Sequence, residues 1–87
     1  MEDPINRLKR LRIRSWRRGT KEMDLFFGRF ADAHLDRLDS QALDDFEALL
    51  MQEDPHVMSW VTRQEPCPSE YRAMVDRLRT YAESLSP

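Results

Sequence analysis

The segment from Met23 to Leu38 constrains the fold of this 87-residue chain more than any other. Its inward-facing residues recur at spacings of three and four, which is the period of an amphipathic helix. They are Met23, Phe26, Phe27, Phe30, Ala31, His34, Leu35 and Leu38. No sustained alternation of apolar and polar residues occurs elsewhere, so strands are not expected. We predict a helix from about Lys21 to Leu38 at the centre of the core.

A first helix is predicted ahead of it, from about Pro4 to Arg17. Proline suits the first helical position, because its missing N–H has no partner there in any case. An apolar stripe runs along one side of this helix, and the other sides are rich in arginine. The stripe consists of Ile5, Leu8, Leu11 (or Arg12) and Trp16, with Ile13 lying off it.

Three more helices follow from their capping residues. The third begins after Asp39-Ser40, both of which are good N-caps. The fourth begins at Asp54-Pro55, with Asp54 as the N-cap and proline at the first position, and it ends near Arg63. The fifth runs from about Ser69 to Ser84. The sequence therefore predicts an all-α, compact five-helix bundle, with residues 1–87 in a single domain and an ordered core of about 5–84.

Charge is distributed unevenly along the chain. Residues 1–21 carry eight basic and two acidic side chains, and residues 22–87 carry six basic and fourteen acidic ones. The basic block favours an anionic partner, which nucleic acid, anionic lipid, a phosphate-bearing cofactor or an acidic protein surface would each satisfy. Alternatively, the two parts neutralise each other inside one fold. A nucleic-acid-binding helical module is an alternative function, but the acidic remainder would repel DNA, so we expect no nucleic-acid partner.

Several other kinds of site are not expected. His34 and His56 lie in different helices without a second ligand nearby, so we predict no metal site. Asp44 and Asp45 diverge by about 100° on a helix, which does not suit an acid/base pair. The lone Cys67 indicates a reducing compartment and a passive loop position. We therefore predict no catalytic residues. No apolar run approaches the length of about 20 residues that spans a bilayer, so we expect no membrane insertion.

The five residues at positions 18–22 are predicted to join the first two helices. Gly19 suits a positive φ that ends the first helix, Thr20 suits the N-cap of the second, and Glu22 is favoured by the helix dipole. Such a turn displays arginine side chains, backbone N–H groups and a carboxylate together. An arginine fork binds carboxylate or phosphate bidentately. The predicted partner-binding residues are Arg17, Arg18, Gly19 and Glu22.

This segment resembles the R-G-x-x-E motif of the succinate dehydrogenase flavinylation (assembly) factors, the SdhE-like family. The segment from Phe46 to Pro55, followed by Trp60, is similar to that family's F-x-x-L-L-x-x-x-D-P-x-x-x-x-W signature. The stretch from Arg12 to Trp16 also resembles the family, and the likeness runs from about Arg7 to Tyr81. Two motifs in this order, in a chain this short, are specific.

The resemblance implies a five-helix bundle that binds the flavoprotein subunit of succinate dehydrogenase and promotes covalent attachment of FAD to one of its histidines. It also implies a link to the fumarate reductase flavoprotein, and, as an alternative, an antitoxin-type regulator of a membrane-associated toxin. The family's motif positions are Arg18, Gly19 and Glu22 here. The chain lacks a dinucleotide fingerprint, so FAD is assigned to the partner and no cofactor to this chain.

The expected location is the cytoplasm of a bacterium. Residues 7–18 are rich in arginine and poor in acids, as in a mitochondrial presequence. However, Glu2 and Asp3 precede them, and the first helix is needed to complete the bundle. We therefore expect a mature cytoplasmic protein, monomeric, that serves as an assembly factor and not as an enzyme.

Overall fold

A computed structural model describes residues 2–84 of the chain, and helices fill most of that range. The α-helices are α1 (Pro4–Ser15), α2 (Lys21–His34), α3 (Ser40–Leu50), α4 (Asp54–Val61) and α5 (Ser69–Ser84), with a 3-10 turn at Leu35–Arg37. No strand occurs within residues 2–84. The predicted all-α bundle of five helices in a single domain is confirmed. Its predicted bounds also include residue 1 and residues 85–87, which lie outside the described part.

The core is centred on α2, as the periodicity predicted. Phe27 and Phe30 are buried on its inner side. Both rings pack against Phe46 of α3, with centroids 5.9 and 5.6 Å away. Aromatic pairs at such distances add to the stabilisation that burial itself provides. Because α2 also contacts α1 and α5, its apolar side organises the whole bundle.

Capping side chains fix the starts of three helices. The Oγ1 of Thr20 accepts the N–H of Met23 at 3.2 Å, and the carboxylate of Asp39 accepts the N–H of Ala42 at 2.8 Å. Both predicted N-caps are confirmed. Asp3 caps α1 in the same way, accepting the N–H of Ile5 at 2.8 Å. Each cap supplies an acceptor to a backbone N–H that the helix itself leaves without one.

Two predicted helix ends are wrong by a few residues. α1 ends at Ser15 and not at Arg17, where the N–H of Trp16 is shared between the carbonyls of Arg12 and Ile13 in a tightening last turn. α2 ends at His34, and the 3-10 turn replaces the predicted continuation to Leu38. α4 ends at Val61, near Arg63 as predicted, because Arg63 adopts a positive φ of 64° that no α-helix accommodates.

The buried side of α1 also differs from the predicted stripe. Leu11 is fully buried, and Ser15 is buried beside it with its hydroxyl donating to the carbonyl of Leu11 at 2.7 Å. Ile5, which the stripe included, is 64% exposed, and Ile13 is 54% exposed. The hydroxyl of Ser15 is tolerated in the core because it donates its hydrogen bond to this carbonyl oxygen.

Part of the basic block is neutralised inside the fold. Arg7 and Arg10 of α1 both bind Glu47 of α3 at 2.9 Å, and Arg12 binds Asp36 at 3.0 Å. Burial raises the pKa of Glu47, but the hydrogen bonds from Arg10 and Arg7 outweigh it and hold that pKa below its ordinary value. The ionised Glu47 therefore stabilises the fold at neutral pH, and this contribution is lost as the pH falls through the folded-state pKa.

The end of α1 approaches α2 closely at Gly28. A Cβ built on Gly28 would lie 2.2 Å from the Cδ2 atom of Trp16, so the indole ring rests on the helix backbone. The indole Nε1 donates to Asp32, one turn further along α2, at 3.4 Å. Glycine is unfavourable within a helix, and its presence here is explained by this contact.

We expect Gly28→Ala to lower the free energy of unfolding by about 1–3 kcal/mol, because the added methyl group displaces the indole of Trp16. Urea unfolding followed by circular dichroism measures this change. The control is the same substitution in a Trp16→Ala background, where alanine is expected to stabilise α2 by about 0.5–1 kcal/mol. Equal destabilisation in both backgrounds would show that the indole contact is not the cause.

Candidate functional site

The turn between α1 and α2 is built around the inward-pointing side chain of Arg18. That side chain is 9% exposed, and its Nη2 lies 2.6 Å from the Oδ1 of Asp54, whose side chain is 15% exposed. The Nε of Arg18 donates to the same oxygen at 2.9 Å. Breaking such a partly buried pair strongly destabilises the fold, because the remaining charge would be left without a partner of opposite sign.

The same guanidinium also binds the end of α3. It donates to the carbonyl of Leu50, and through Nη2 to the carbonyl of Gln52 at 2.6 Å. Carbonyls at a helix C-terminus lack donors within the helix and favour a nearby cation. The guanidinium carbon also lies 5.2 Å from the ring centroid of Phe27, within range of a cation–π contact. Arg18 thus joins the turn to the end of α3 and the start of α4.

Asp54 is therefore not the N-cap that its sequence predicted. Glu53 occupies the cap position without a side-chain cap bond, and Asp54 is the first residue of α4. Its carboxylate still benefits from the N-terminal dipole of α4, but its partner is Arg18. The aspartate of one sequence motif thereby contacts the arginine of the other. Periodicity gave no sign of this pairing, because 36 positions separate the two residues.

A second carboxylate, Asp24, holds the backbone of the turn. Its Oδ1 accepts the N–H groups of both Arg18 and Gly19, the latter at 3.2 Å. Asp24 therefore occupies these two N–H groups, and the display of other backbone N–H groups by the turn stays a prediction. Sequence reasoning missed Asp24, although an acid in the first turn of a helix is a common sign of such a role.

Gly19 adopts a φ of +122°, a conformation that L side chains rarely adopt. It lies four residues beyond the last residue of α1, so it shapes the turn and does not terminate the helix as predicted. A Cβ built there would meet only the Oδ2 of Asp54, at 3.8 Å. The requirement for glycine thus comes from the backbone conformation and not from lack of space.

Arg17 and Glu22 are the exposed charged residues of the predicted site. Within residues 2–84, neither side chain has an ion-pair partner. Glu22 borders a shallow hollow of about 290 Å³ that Leu25 and Phe26 help to line. We call the exposed surface of this turn the turn face. It consists of Arg17, Gly19, Thr20, Lys21 and Glu22, and Arg18 lies beneath it. Partner binding by Arg17, Arg18, Gly19 and Glu22 stays a prediction.

The other residues that were considered as catalytic or metal-binding groups contact neighbouring residues of the fold. His34 packs against the rings of Phe30 and Tyr81, with centroids 5.2 and 5.1 Å away. Burial raises the pKa of the Cys67 thiol, which disfavours the reactive thiolate. Asp44 binds Arg7 at 2.8 Å. Among the described residues, no three His, Cys, Asp or Glu side chains are grouped to hold a metal ion. The absence of catalytic residues stays a prediction.

None of the helices in the described range is both long enough and apolar enough to cross a membrane. The longest, α5, has 16 residues and is interrupted by charged side chains.

Comparison with known proteins assigns the chain to a family. A family model described as "Flavinator of succinate dehydrogenase" matches residues 9–82. The chain belongs to this family. The matched region contains the turn face and the segment from Phe46 to Trp60, which Arg18 and Asp54 hold together. The family resemblance drawn from the sequence is therefore confirmed.

Individual relatives are identical to the chain at about a third of the aligned positions. The "FAD assembly factor SdhE" of Colwellia psychrerythraea is 37% identical over 78 residues, covering 85% of this chain and 86% of the relative. That of Acetobacter pasteurianus is 36% identical over 64 residues, covering 74% and 59%. The mitochondrial "Succinate dehydrogenase assembly factor 2" of Dictyostelium discoideum is 34% identical over 70 residues, covering 80% and 50%. The chain thus spans only about half to three-fifths of the length of several curated relatives.

We expect Arg18→Ala to lower the free energy of unfolding by about 3 kcal/mol, because Asp54 and two carbonyls lose their donor. The neighbouring Arg17→Ala is the matched control, and it is expected to change stability by less than about 0.5 kcal/mol because Arg17 is exposed. Urea unfolding measures both. If the two variants unfold at the same urea concentration, the guanidinium of Arg18 does not hold the turn.

Proposed function

We propose that this chain binds the flavoprotein subunit of succinate dehydrogenase and promotes the covalent attachment of FAD to that subunit. The observation that carries the proposal is the family match over residues 9–82. The names of the relatives, which describe FAD assembly factors and succinate dehydrogenase assembly factors, support it.

The proposed mechanism is positioning. The flavin supplies the chemistry of bond formation, and the client subunit supplies the histidine that becomes attached. A helper that orders two reacting groups contributes by proximity, which is worth up to about 7–11 kcal/mol in favourable cases. The turn face suits this role because one carboxylate holds its backbone and a second holds the side chain of Arg18. Asp24 binds two N–H groups, and Asp54 binds Arg18.

The four predicted partner-binding residues have distinct parts in this proposal. Arg17 and Glu22 present free charges of opposite sign to charged groups of the client. Gly19 has no side chain, so the backbone of the client can approach closely at that point. The guanidinium of Arg18 already has acceptors within the chain, so we assign it to holding the turn in shape. The hollow beside Glu22 offers an apolar contact at the edge of the surface.

A second client in the fumarate reductase flavoprotein, a monomeric state and a cytoplasmic location belong to the same proposal. FAD is assigned to the client and not to this chain. Neither the antitoxin nor the nucleic-acid alternative is supported by the family match. The ion pairs of Arg7, Arg10 and Arg12 also reduce the positive charge that phosphate binding would require.

The purified chain is expected to raise the yield of covalent flavin several-fold when mixed with apo flavoprotein subunit, FAD and a dicarboxylate. Acid-stable flavin fluorescence on a denaturing gel measures the yield. The control omits the chain and contains an equal amount of an unrelated small helical protein. A yield that is the same with and without the chain would contradict the proposal.

Glu22→Ala is expected to weaken client binding about ten- to a hundredfold, because a hydrogen bond to a charged group contributes about 1.5–3 kcal/mol. Binding is measured by calorimetry against the apo subunit, with flavin yield as a second readout. Glu70→Ala is the matched control, because Glu70 is likewise an exposed acid at the second position of a helix. Both variants should unfold at similar temperatures. If Glu22→Ala unfolds the chain and Glu70→Ala does not, Glu22 has a structural role.

A further inference from the structure

A hollow between α2 and α5 has no part in the proposed function. It lies where the end of α2 and the 3-10 turn after it face the second half of α5, and its volume is about 550 Å³. Small-molecule sites in proteins have volumes of about 300–1,000 Å³. We call this cavity the α2–α5 hollow. The residues that give it its chemical character are Phe30, His34, Arg37, Leu38, Arg77 and Tyr81.

The apolar part of the α2–α5 hollow is held in place by contacts between aromatic rings. Phe30 is buried, and His34 and Tyr81 are half-buried. The ring of Tyr81 lies edge-on to both of the others, with centroids 5.8 Å from Phe30 and 5.1 Å from His34. Ligand pockets are usually formed before the ligand arrives and are lined mainly by apolar and aromatic side chains. The hollow therefore has the lining of a ligand pocket.

Two arginines give the α2–α5 hollow a positive charge. Arg37 reaches it from the 3-10 turn and Arg77 from α5, so each wall supplies one exposed guanidinium. Within residues 2–84, neither arginine has an ion-pair partner. The acid that also lines the hollow, Asp76, binds Arg79 at 3.0 Å. Since a guanidinium binds carboxylate or phosphate bidentately, an anionic group in the hollow has two donors available.

We propose that the α2–α5 hollow binds a small organic anion. Its apolar ring packs against Phe30 and Tyr81, and Arg37 and Arg77 bind its carboxylate or phosphate group. The preformed apolar lining and the charge complementarity support this class of ligand. An uncharged ligand of the same shape is less favoured, because it gains nothing from the two arginines. The inference goes beyond the proposed function, and neither depends on the other.

The test titrates the 87-residue chain with 8-anilinonaphthalene-1-sulfonate (ANS), an aromatic anion whose fluorescence rises in apolar surroundings. Arg37→Gln and Arg77→Gln are each expected to raise the Kd of ANS about fivefold, the upper end for the loss of an exposed ion pair. Arg72→Gln is the matched control and should leave the Kd unchanged. Arg72 is likewise an exposed arginine of α5, but it does not line the hollow.

A further variant fills the α2–α5 hollow from its rim. Thr80 is exposed and lines the hollow, so Thr80→Trp is expected to keep the fold and to raise the Kd of ANS about tenfold or more. Competition then identifies the charged group. We expect 1-naphthoate or 1-naphthyl phosphate to displace ANS, and uncharged 1-naphthalenemethanol not to do so at the same concentration. The tighter of the two anions shows whether the hollow prefers carboxylate or phosphate.

Three outcomes would overturn the inference. The hollow is not the site if ANS does not bind, or if Thr80→Trp binds it as tightly as the unaltered chain. The ligand is not an anion if 1-naphthalenemethanol displaces ANS as well as 1-naphthoate does. Tighter ANS binding by Leu85→Ser would show that residues 85–87 compete for the hollow. Because ANS also binds partly folded proteins, circular dichroism must show that each variant retains its fold. No measurement uses the flavoprotein subunit, so the proposed function is tested separately.

Discussion

The ion pair between Arg18 and Asp54 is the interaction on which the rest of the site depends. The guanidinium lies largely out of water and binds one carboxylate and two carbonyls, and it lies against the ring of Phe27. A charge in such surroundings is tolerated only when the acceptors are well placed, so the pair fixes α3 and α4 relative to the turn. The exposed residues on either side of Arg18 inherit their positions from it.

Local physical chemistry predicted much of the fold. Residue type and periodicity predict three features within a few positions. These are the bounds of α5, the N-caps Thr20 and Asp39, and the central place of α2. Asp54 shows where that approach ends. An aspartate before a proline suits an N-cap, but the same carboxylate also suits a buried arginine. The tertiary packing that places the turn against the start of α4 decides between these two, and that depends on residues far apart in sequence.

The candidate site was predicted less completely than the fold. Its sequence suggested that Arg17, Arg18 and Glu22 share one exposed patch, and the structure separates them into two groups. Arg17 and Glu22 are exposed, whereas Arg18 points inward. Residue type alone does not distinguish these cases, since an arginine suits both a partner's carboxylate and one in its own chain. The family was nevertheless evident from two motifs, because their order and spacing are specific even where the roles of single residues are not.

The charge asymmetry of the sequence is partly neutralised within the fold. Of the two explanations first considered, mutual neutralisation applies to some of the basic residues, and attraction of an anionic partner stays a prediction for the others. Arg7, Arg10 and Arg12 are neutralised by acids of the same chain, and Arg18 is neutralised more deeply. The basic residues of this block that have no acidic partner within residues 2–84 lie beside the turn and on the outward side of α1. A partner that binds there meets positive charge that the fold has not neutralised. Its own surface should therefore be acidic, and its association should weaken as salt is added.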